Sequence, residues 1–216
     1  STAIATRPIL TGGNVARLRA AMAEDDVPRI SAHQIPPPEA KARMRAQATA
    51  SYEATPDEVN RVLLLYSGGL DTSVMLKWIQ DEYEAEVVAL TINLGQPGED
   101  YEVVQGKALQ LGAVAAEVVD AREEFASDFV VPAIKANAIY GGGYPLFTAL
   151  GRPLIAKLAV EYARRSGCDT IAHGCTGKGN DQVRIESTIA TLAPELKVIA
   201  PVRSWAMGRD EEIAYA

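Results

Sequence analysis

The most informative stretch of this sequence reads Leu65-Tyr66-Ser67-Gly68-Gly69-Leu70-Asp71-Thr72-Ser73. It lies where a short β-branched and aromatic run gives way to a helix-like pattern. Two glycines let the backbone pass close to an anion, and three hydroxyl side chains offer donors. The helix that follows points its N-terminal N–H groups and the positive end of its dipole at the same place. The stretch therefore predicts a phosphate-binding loop between a strand and a helix.

This stretch has two other interpretations. A Walker A loop would need Gly-x-x-x-x-Gly-Lys-Ser/Thr, and its lysine is absent here. An ordinary tight turn at Gly68-Gly69, with Asp71 as the helix N-cap, is the simpler alternative, because aspartate often caps helices. Capping and phosphate binding are compatible, and Ser-Gly-Gly-x-Asp followed by two hydroxyls favours phosphate binding.

A second polar loop reads Ala172-His173-Gly174-Cys175-Thr176-Gly177-Lys178-Gly179-Asn180-Asp181-Gln182-Val183-Arg184. Its glycines allow close approach of a ligand, and Lys178 supplies a cation for phosphate. Taken singly, Lys178 and Arg184 are better explained as solvated surface charges. Such a density of polar groups is costly to bury without a ligand or partner groups, and crevices at the carboxyl ends of parallel strands bind ligands. The loop as a whole therefore predicts a second part of the same site.

Strand-like and helix-like segments alternate from Arg61 onward, which predicts a doubly wound parallel α/β sheet covered by helices on both faces. The strands are expected at 62–66, 86–92, 113–119, 169–172 and 196–200. The helices are expected at 71–84, 101–111, 121–138, 148–166 and 180–192.

Residues 1–61 differ from the rest and are interpreted as an N-terminal extension that precedes a nucleotide-binding domain at 62–216. They hold half of the twelve prolines, and short helices are expected at 14–24 and 38–50. The extension either packs on the domain or on a partner, or forms a weakly ordered tail.

The net charge of −7 is unevenly divided, with eight basic and seven acidic residues in 1–61 and thirteen basic and twenty-one acidic residues in 62–216. An acidic domain repels nucleic acid, so a nucleic-acid partner is not expected. No membrane span or signal segment is visible, and a cytoplasmic location is the default expectation.

Two cysteines, Cys168 and Cys175, form no Cys-x-x-Cys pair, so neither a disulfide framework nor a zinc site is indicated. Both are expected to be buried small apolar residues. Trp78 and Trp205 are expected to be core or interface anchors.

The first loop resembles the pyrophosphate loop of the PP-loop ATP pyrophosphatases, which cleave ATP between its α- and β-phosphates. The second loop narrows this to the argininosuccinate synthase family, as does Tyr144-Pro145-Leu146-Phe147-Thr148-Ala149-Leu150-Gly151-Arg152-Pro153, which is similar to that family's citrulline-binding turn. Ile92-Asn93-Leu94-Gly95-Gln96 matches the end of the family's second strand. The similarity covers essentially all of 62–216.

The resemblance implies a set of site residues. For ATP these are Leu65, Tyr66, Ser67, Gly68, Gly69, Leu70, Asp71, Thr72, Ser73, Ile92, Ala172, His173, Gly174, Gly177, Lys178 and Gly179. For citrulline they are Tyr144, Thr148, Asn180 and Arg184, and for aspartate they are Thr176, Asn180 and Asp181. No residue is assigned to acid–base catalysis or to a metal, and His173 is as readily structural as catalytic.

The implied activity is ATP-dependent condensation of citrulline with aspartate through citrullyl-AMP, with ATP and Mg²⁺ as cofactors. Two departures from the family are large: about sixty residues precede the first loop, and the family's C-terminal synthetase domain is absent. A minor one is Leu65 in place of the usual alanine beside the adenine. The implied partners are a second copy of the chain or a chain that carries the missing domain. The alternatives are a non-catalytic ATP-binding module and an adenylating ligase with another substrate.

Overall fold

The computed structural model describes residues 54, 56–141, 143–144, 146–177, 179–205 and 209–215. The helices predicted at 14–24 and 38–50, and the side chain of Lys178, lie outside the described residues. Within them, no helix is both long enough and apolar enough to cross a membrane.

Five strands and eight α-helical segments alternate along the described part of the chain. The strands are β1 (Arg61–Leu65), β2 (Glu86–Asn93), β3 (Ala115–Asp120), β4 (Thr170–Ala172) and β5 (Lys197–Ile199). The helices are α1 (Leu70–Tyr83), α2 (Tyr101–Gln110), α3 (Arg122–Glu124), α4 (Val131–Lys135), α5 (Phe147–Arg165), α6 (Asp181–Leu192), α7 (Pro201–Ser204) and α8 (Arg209–Tyr215). A short 3₁₀ turn at Pro56–Glu58 precedes β1, and a π-helical segment at Phe125–Val130 joins α3 to α4.

All five strands are parallel and lie in the order β3-β2-β1-β4-β5. At the centre, Leu63 of β1 is in register with Val88 of β2 and with Ile171 of β4. From β1 the chain passes through β2 to β3, which forms one edge of the sheet. It then crosses back to β4, beside β1, and continues to β5 at the other edge. The predicted doubly wound sheet is confirmed, and β1 and β4 are neighbours whose carboxyl ends share one edge of the sheet.

Alternate residues of β1 face opposite layers of the core, as expected for a strand buried on both faces. Val62 and Leu64 pack with α1 and with both tryptophans. Leu63 packs with α5 and α6. Trp78 and Trp205 contact each other edge to face, with ring centroids 5.9 Å apart, so their predicted role as core anchors is confirmed.

The structure differs from the sequence prediction in three places. The helix expected over 121–138 is broken by the π-helical segment and ends at Lys135, and Asn137 beyond it has a left-handed backbone (φ 49°) that does not continue a helix. The helices α7 and α8 were not predicted. Cys175, which was expected to be buried, is only partly buried. The N-cap position that the simpler alternative gave to Asp71 belongs to Gly69, and Asp71 lies within the first turn of α1.

Candidate functional site

The phosphate loop leaves the carboxyl end of β1 and enters α1 through Gly69. Gly69 is the N-cap residue of α1 and, having no side chain, gives the first turn of the helix no side-chain cap. Thr72 Oγ1 lies 3.2 Å from Ser67 Oγ and accepts weakly from the Ser67 N–H at 3.4 Å. Ser67 and Gly69 are exposed at this turn. An exposed turn at a helix N-terminus is the kind of place where proteins bind phosphate.

Gly68 gives this loop its shape. Its backbone lies in the left-handed region, with φ at +77°, and an added Cβ would lie 2.9 Å from Val104 Cγ2. Lys107 Nζ donates to the Gly68 carbonyl oxygen at 2.9 Å. Both contacts come from α2. This helix therefore packs against the loop and fixes the Gly68 carbonyl group by a hydrogen bond.

The last hydroxyl of the motif faces the protein interior. Ser73 Oγ donates to the Gly69 carbonyl at 2.8 Å and lies 3.1 Å from the Tyr66 hydroxyl. Ser73 and Tyr66 are both buried, and burial raises the pKa of the Tyr66 hydroxyl. These two side chains therefore stabilise the turn from its inner side.

The second loop follows β4 and lies against the first. A Cβ added at Gly174 would lie 3.2 Å from Met75 Sδ and 4.0 Å from Thr72 Cγ2, both on α1. A side chain at Gly174 would therefore press on the helix that begins at the phosphate loop. Two predicted binding segments are thus adjacent at one edge of the sheet.

His173, at the start of the second loop, is almost fully buried. Its Nδ1 accepts from the Cys175 N–H at 3.2 Å, so its proton lies on Nε2, which donates to Glu186 Oε1 at 3.1 Å. An imidazole enclosed in this way fixes the backbone of the loop.

Asp181 lies at the start of α6 between two guanidinium groups. Arg152 Nη2 donates to its Oδ2 at 3.0 Å, and Arg184 Nη1 donates to its Oδ1 at 3.3 Å. Thr148 lies one turn before Arg152 on α5, and its hydroxyl is 2.7 Å from the Tyr144 hydroxyl. Thr148 and Asp181, each predicted to bind one of the two amino acids, therefore lie in the first turns of two helices that Arg152 links to each other.

Beside the phosphate loop lies a cavity of about 200 Å³. Its walls come from the ends of β1 and β2, from the loop after β2 and from α5. The lining residues are Leu65, Tyr66, Ser67, Leu90, Thr91, Ile92, Gln96, Glu99, Arg152 and Ile155. Leu65 and Ile92, the two residues predicted to lie near adenine, share this cavity.

Three basic residues of this region were not assigned a role from the sequence. Lys107 and Arg203 belong to no motif. Lys107, on α2, reaches the first loop at Gly68, and Arg203, on α7, reaches Gln182 of the second motif. Arg152 lay inside the third motif but had no assigned function. Its position one helical turn after Thr148 was the signal that could have identified it.

Comparison with known proteins identifies the family. The family profile described as the arginosuccinate synthase N-terminal HUP domain matches residues 61–216. The chain belongs to the argininosuccinate synthase family. It is 65% identical over 156 residues to the argininosuccinate synthase of Rubrobacter xylanophilus, covering 72% of this chain and 38% of that protein.

Other members of the argininosuccinate synthase family are also similar to this chain. Identity is 54% over 157 residues to the enzyme of Brevibacillus brevis, covering 73% of this chain and 37% of that one. It is 55% over 156 residues to that of Symbiobacterium thermophilum, covering 72% and 39%. The chain thus spans less than two fifths of the length of these relatives. A solved structure described as a predicted subunit of tRNA methyltransferase from Methanocaldococcus jannaschii aligns with TM-score 0.48 and 19% identity, over 72% of this chain and 74% of that one.

Proposed function

We propose that this chain is the ATP-binding part of an argininosuccinate synthase-type ligase, which condenses citrulline with aspartate and converts ATP to AMP and pyrophosphate. The observation that carries the proposal is the adjacency of the two loops, seen in the approach of Gly174 to Thr72 and Met75. The proposed reaction is taken from the family to which the chain belongs. A nucleotide site shared by the two loops requires that they lie next to each other.

In this proposal ATP lies across the ends of β1, β2 and β4. The adenine occupies the cavity that Leu65 and Ile92 line together with Gln96 and Glu99. The β- and γ-phosphates bind the N–H groups and hydroxyls at the start of α1. Gly177, Lys178 and Gly179 of the second loop are proposed to bind the phosphates as well.

The two amino acids are proposed to bind on the other side of the second loop. Citrulline would contact Tyr144, Thr148 and the beginning of α6. Aspartate would contact Thr176, Asn180 and Asp181. The carboxylate of Asp181 accepts from two arginines, which fixes its position and leaves lone pairs that can accept from a substrate ammonium group.

The reaction then proceeds by two displacements. The ureido oxygen of citrulline attacks the α-phosphorus of ATP, forming an O–P bond as the bond to the pyrophosphate leaving group breaks. The amine of aspartate next attacks the activated ureido carbon, forming a C–N bond and releasing AMP with loss of the amine proton. The protein's part is positioning and stabilisation of the departing charge by donors and Lys178.

Mg²⁺ fits this site as an ion held mainly by phosphate oxygens, where it neutralises charge on the leaving group. Among the residues that the structure describes, no group of three or more His, Cys, Asp or Glu side chains is arranged to hold a metal. The hydroxyls of Ser67 and Thr72 and the carboxylate of Asp71 stand at the loop where the phosphates would lie.

Calorimetry with MgATP tests this assignment. We expect Asp71→Ala and Lys178→Ala each to weaken MgATP binding by about tenfold, or ~1.4 kcal/mol, because Lys178 would pair with the phosphates and the Asp71 carboxylate would attract the Mg²⁺ that they carry. Lys135→Ala, at the end of α4, serves as the control for loss of a lysine. Unchanged affinity in both site variants would defeat the assignment.

A second candidate is a non-catalytic ATP-binding module whose partner chain completes the site. The region of similarity spans less than two fifths of the length of these relatives. A pyrophosphate-release assay with citrulline and aspartate, run with and without the C-terminal part of a relative as a second chain, separates the two. Release by this chain alone supports the ligase, release only with the added chain supports the module, and release with other acceptors only indicates a different adenylating ligase.

A further inference from the structure

The second loop is held at both of its ends by side chains that have no place in the proposed reaction. At its start, buried His173 donates to Glu186 Oε1 at 3.1 Å. At its end, the Gly177 carbonyl accepts from Gln182 Nε2 at 3.3 Å. Glu186 and Gln182 both lie on α6, one turn apart, so the same helix contacts both ends of the loop.

Arg203 joins these two contacts into one network. Its Nη2 is 2.9 Å from Glu186 Oε1, and its Nη1 donates to Gln182 Oε1 at 2.8 Å. The side chains of Arg203 and Glu186 are 18% and 10% exposed, so the pair is well shielded from water. A Cβ added at Gly177 would lie 3.9 Å from Arg203 Cδ, which places the arginine stem directly beneath the loop.

The donor and acceptor roles in this network follow from the hydrogen bonds of His173. Because His173 Nδ1 accepts from a backbone N–H, its Nε2 must be the donor to Glu186. The Glu186 carboxylate thus accepts from both His173 and Arg203. The guanidinium reaches Glu186 and Gln182 with different nitrogens, a geometry that the single ammonium group of lysine cannot reproduce. Such a network has one arrangement, and it holds the loop in one position.

We infer that Gln182, Glu186 and Arg203 are positioning residues that hold residues 173–177 in the conformation that binds ligand. The inference rests on the proposed function, since it assumes that this loop contacts ATP. A loop containing several glycines has many conformations, and ordering it on binding would lower affinity. A loop already held by Gln182 and Arg203 avoids most of that loss, although neither side chain touches the ligand.

Gln182→Met is the variant that tests this, because it removes both hydrogen bonds of Gln182 without leaving a charge buried alone. We expect MgATP to bind about fivefold to tenfold more weakly by calorimetry, equivalent to ordering a short segment on binding. We expect the melting temperature to match that of the control. A residue that only stabilised the fold would lower the melting temperature and leave the affinity of the folded protein unchanged.

Gln80→Met is the matched control. Gln80 is also half-buried, and its Nε2 donates to two backbone carbonyls, those of Leu76 at 3.0 Å and Leu111 at 3.1 Å. It lies in the last turn of α1, away from both loops. This variant should lose as much stability as Gln182→Met and retain the affinity of the wild type.

Arg203→Lys provides the second variant. Lysine keeps the positive charge beside Glu186 but cannot contact Glu186 and Gln182 at the same time. ATP affinity should therefore fall to an extent similar to that in Gln182→Met. The double variant Gln182→Met/Arg203→Lys should bind little more weakly than either single variant, because the two residues act through one connection. Losses that multiply in the double variant would show that they act separately and would overturn the network.

The two proposals fail in different ways. Absence of MgATP binding by the wild-type chain would contradict the proposed function and the inference with it. Binding by the wild type with an unchanged dissociation constant in Gln182→Met would overturn the inference alone.

Discussion

At Gly68 the backbone has a φ of +77°, and the space where a side chain would begin is filled by Val104. A left-handed conformation is costly for other residues, and a contact of 2.9 Å to a branched side chain cannot be relieved without movement of α2 or the loop. The phosphate loop therefore depends on glycine at this position for both conformation and space.

Gly68→Ala should abolish measurable ATP binding and destabilise the fold by about 1–3 kcal/mol, from strain plus the contact with Val104. Calorimetry and urea denaturation measure the two effects. Gly167→Ala is the control, since Gly167 has a φ of +67° with no atom within 4 Å of an added Cβ and lies after α5, at the opposite end from the site. It should lose stability from strain alone and keep its ATP affinity.

Lys107 acts on the same loop through the Gly68 carbonyl. A carbonyl oxygen pointing at a bound phosphate would repel it, and the Lys107 ammonium group holds this one in place at 2.9 Å. We expect Lys107→Met to weaken ATP binding by about tenfold, with Lys107→Arg retaining more of the affinity than Lys107→Met. Equal affinities of Lys107→Met and the wild type, measured by calorimetry, would show that the carbonyl needs no partner.

Cys168 gives the protein a pH dependence at alkaline pH. Burial raises the pKa of its thiol from 9.0 to about 11. Above pH 9 the unfolded chain releases the proton while the folded chain keeps it, so stability falls as pH rises from about 9 to 11. The loss from this group should be about 2–3 kcal/mol in urea denaturation, and Cys168→Ala should show a correspondingly smaller decline over that interval. Parallel stability curves for the two proteins would contradict this.

The short helix α7 and the adjoining Trp205 link β5 to α1. Trp205 is 2% exposed and contacts Trp78 edge to face, and Trp78 contacts Tyr83 with ring centroids 5.6 Å apart. Arg203 lies on the same short helix. The packing of Trp205 therefore helps to determine the position of Arg203 relative to the second loop.

Trp205→Ala should destabilise the protein by about 3–5 kcal/mol through loss of buried area and the cavity left behind. Trp205→Phe should cost less, because an aromatic contact with Trp78 is retained. Urea denaturation measures both. A loss below about 1 kcal/mol in Trp205→Ala would indicate that Trp205 contributes little to the core.

The strands and the two loops could be predicted from the sequence, whereas α7 and the network of Arg203 could not. Strands such as Val62-Leu63-Leu64 could be identified because burial on both faces requires a continuous apolar run. The two loops stood out because glycines and polar groups are concentrated at the ends of strands. The helix α7 has four residues and no periodicity to detect, and the network of Arg203 depends on side chains brought together by the fold from separate parts of the chain.

The strand order β3-β2-β1-β4-β5 places the ends of β1 and β4 side by side, although more than a hundred residues separate them in sequence. The chain reverses its direction of winding at this point, and such reversals open a crevice at the carboxyl ends of parallel strands. The proposed nucleotide site depends on this topology as much as on either motif. The domain division at residue 61 and the role of the preceding extension remain predictions.

Amide hydrogen exchange during a titration with MgATP tests most directly whether both loops bind one nucleotide. The peptides covering residues 66–73 and 173–180 should become protected together, with the same midpoint, and that midpoint should equal the dissociation constant from calorimetry. Protection of only one loop, or protection of the two at clearly different ATP concentrations, would contradict a shared site.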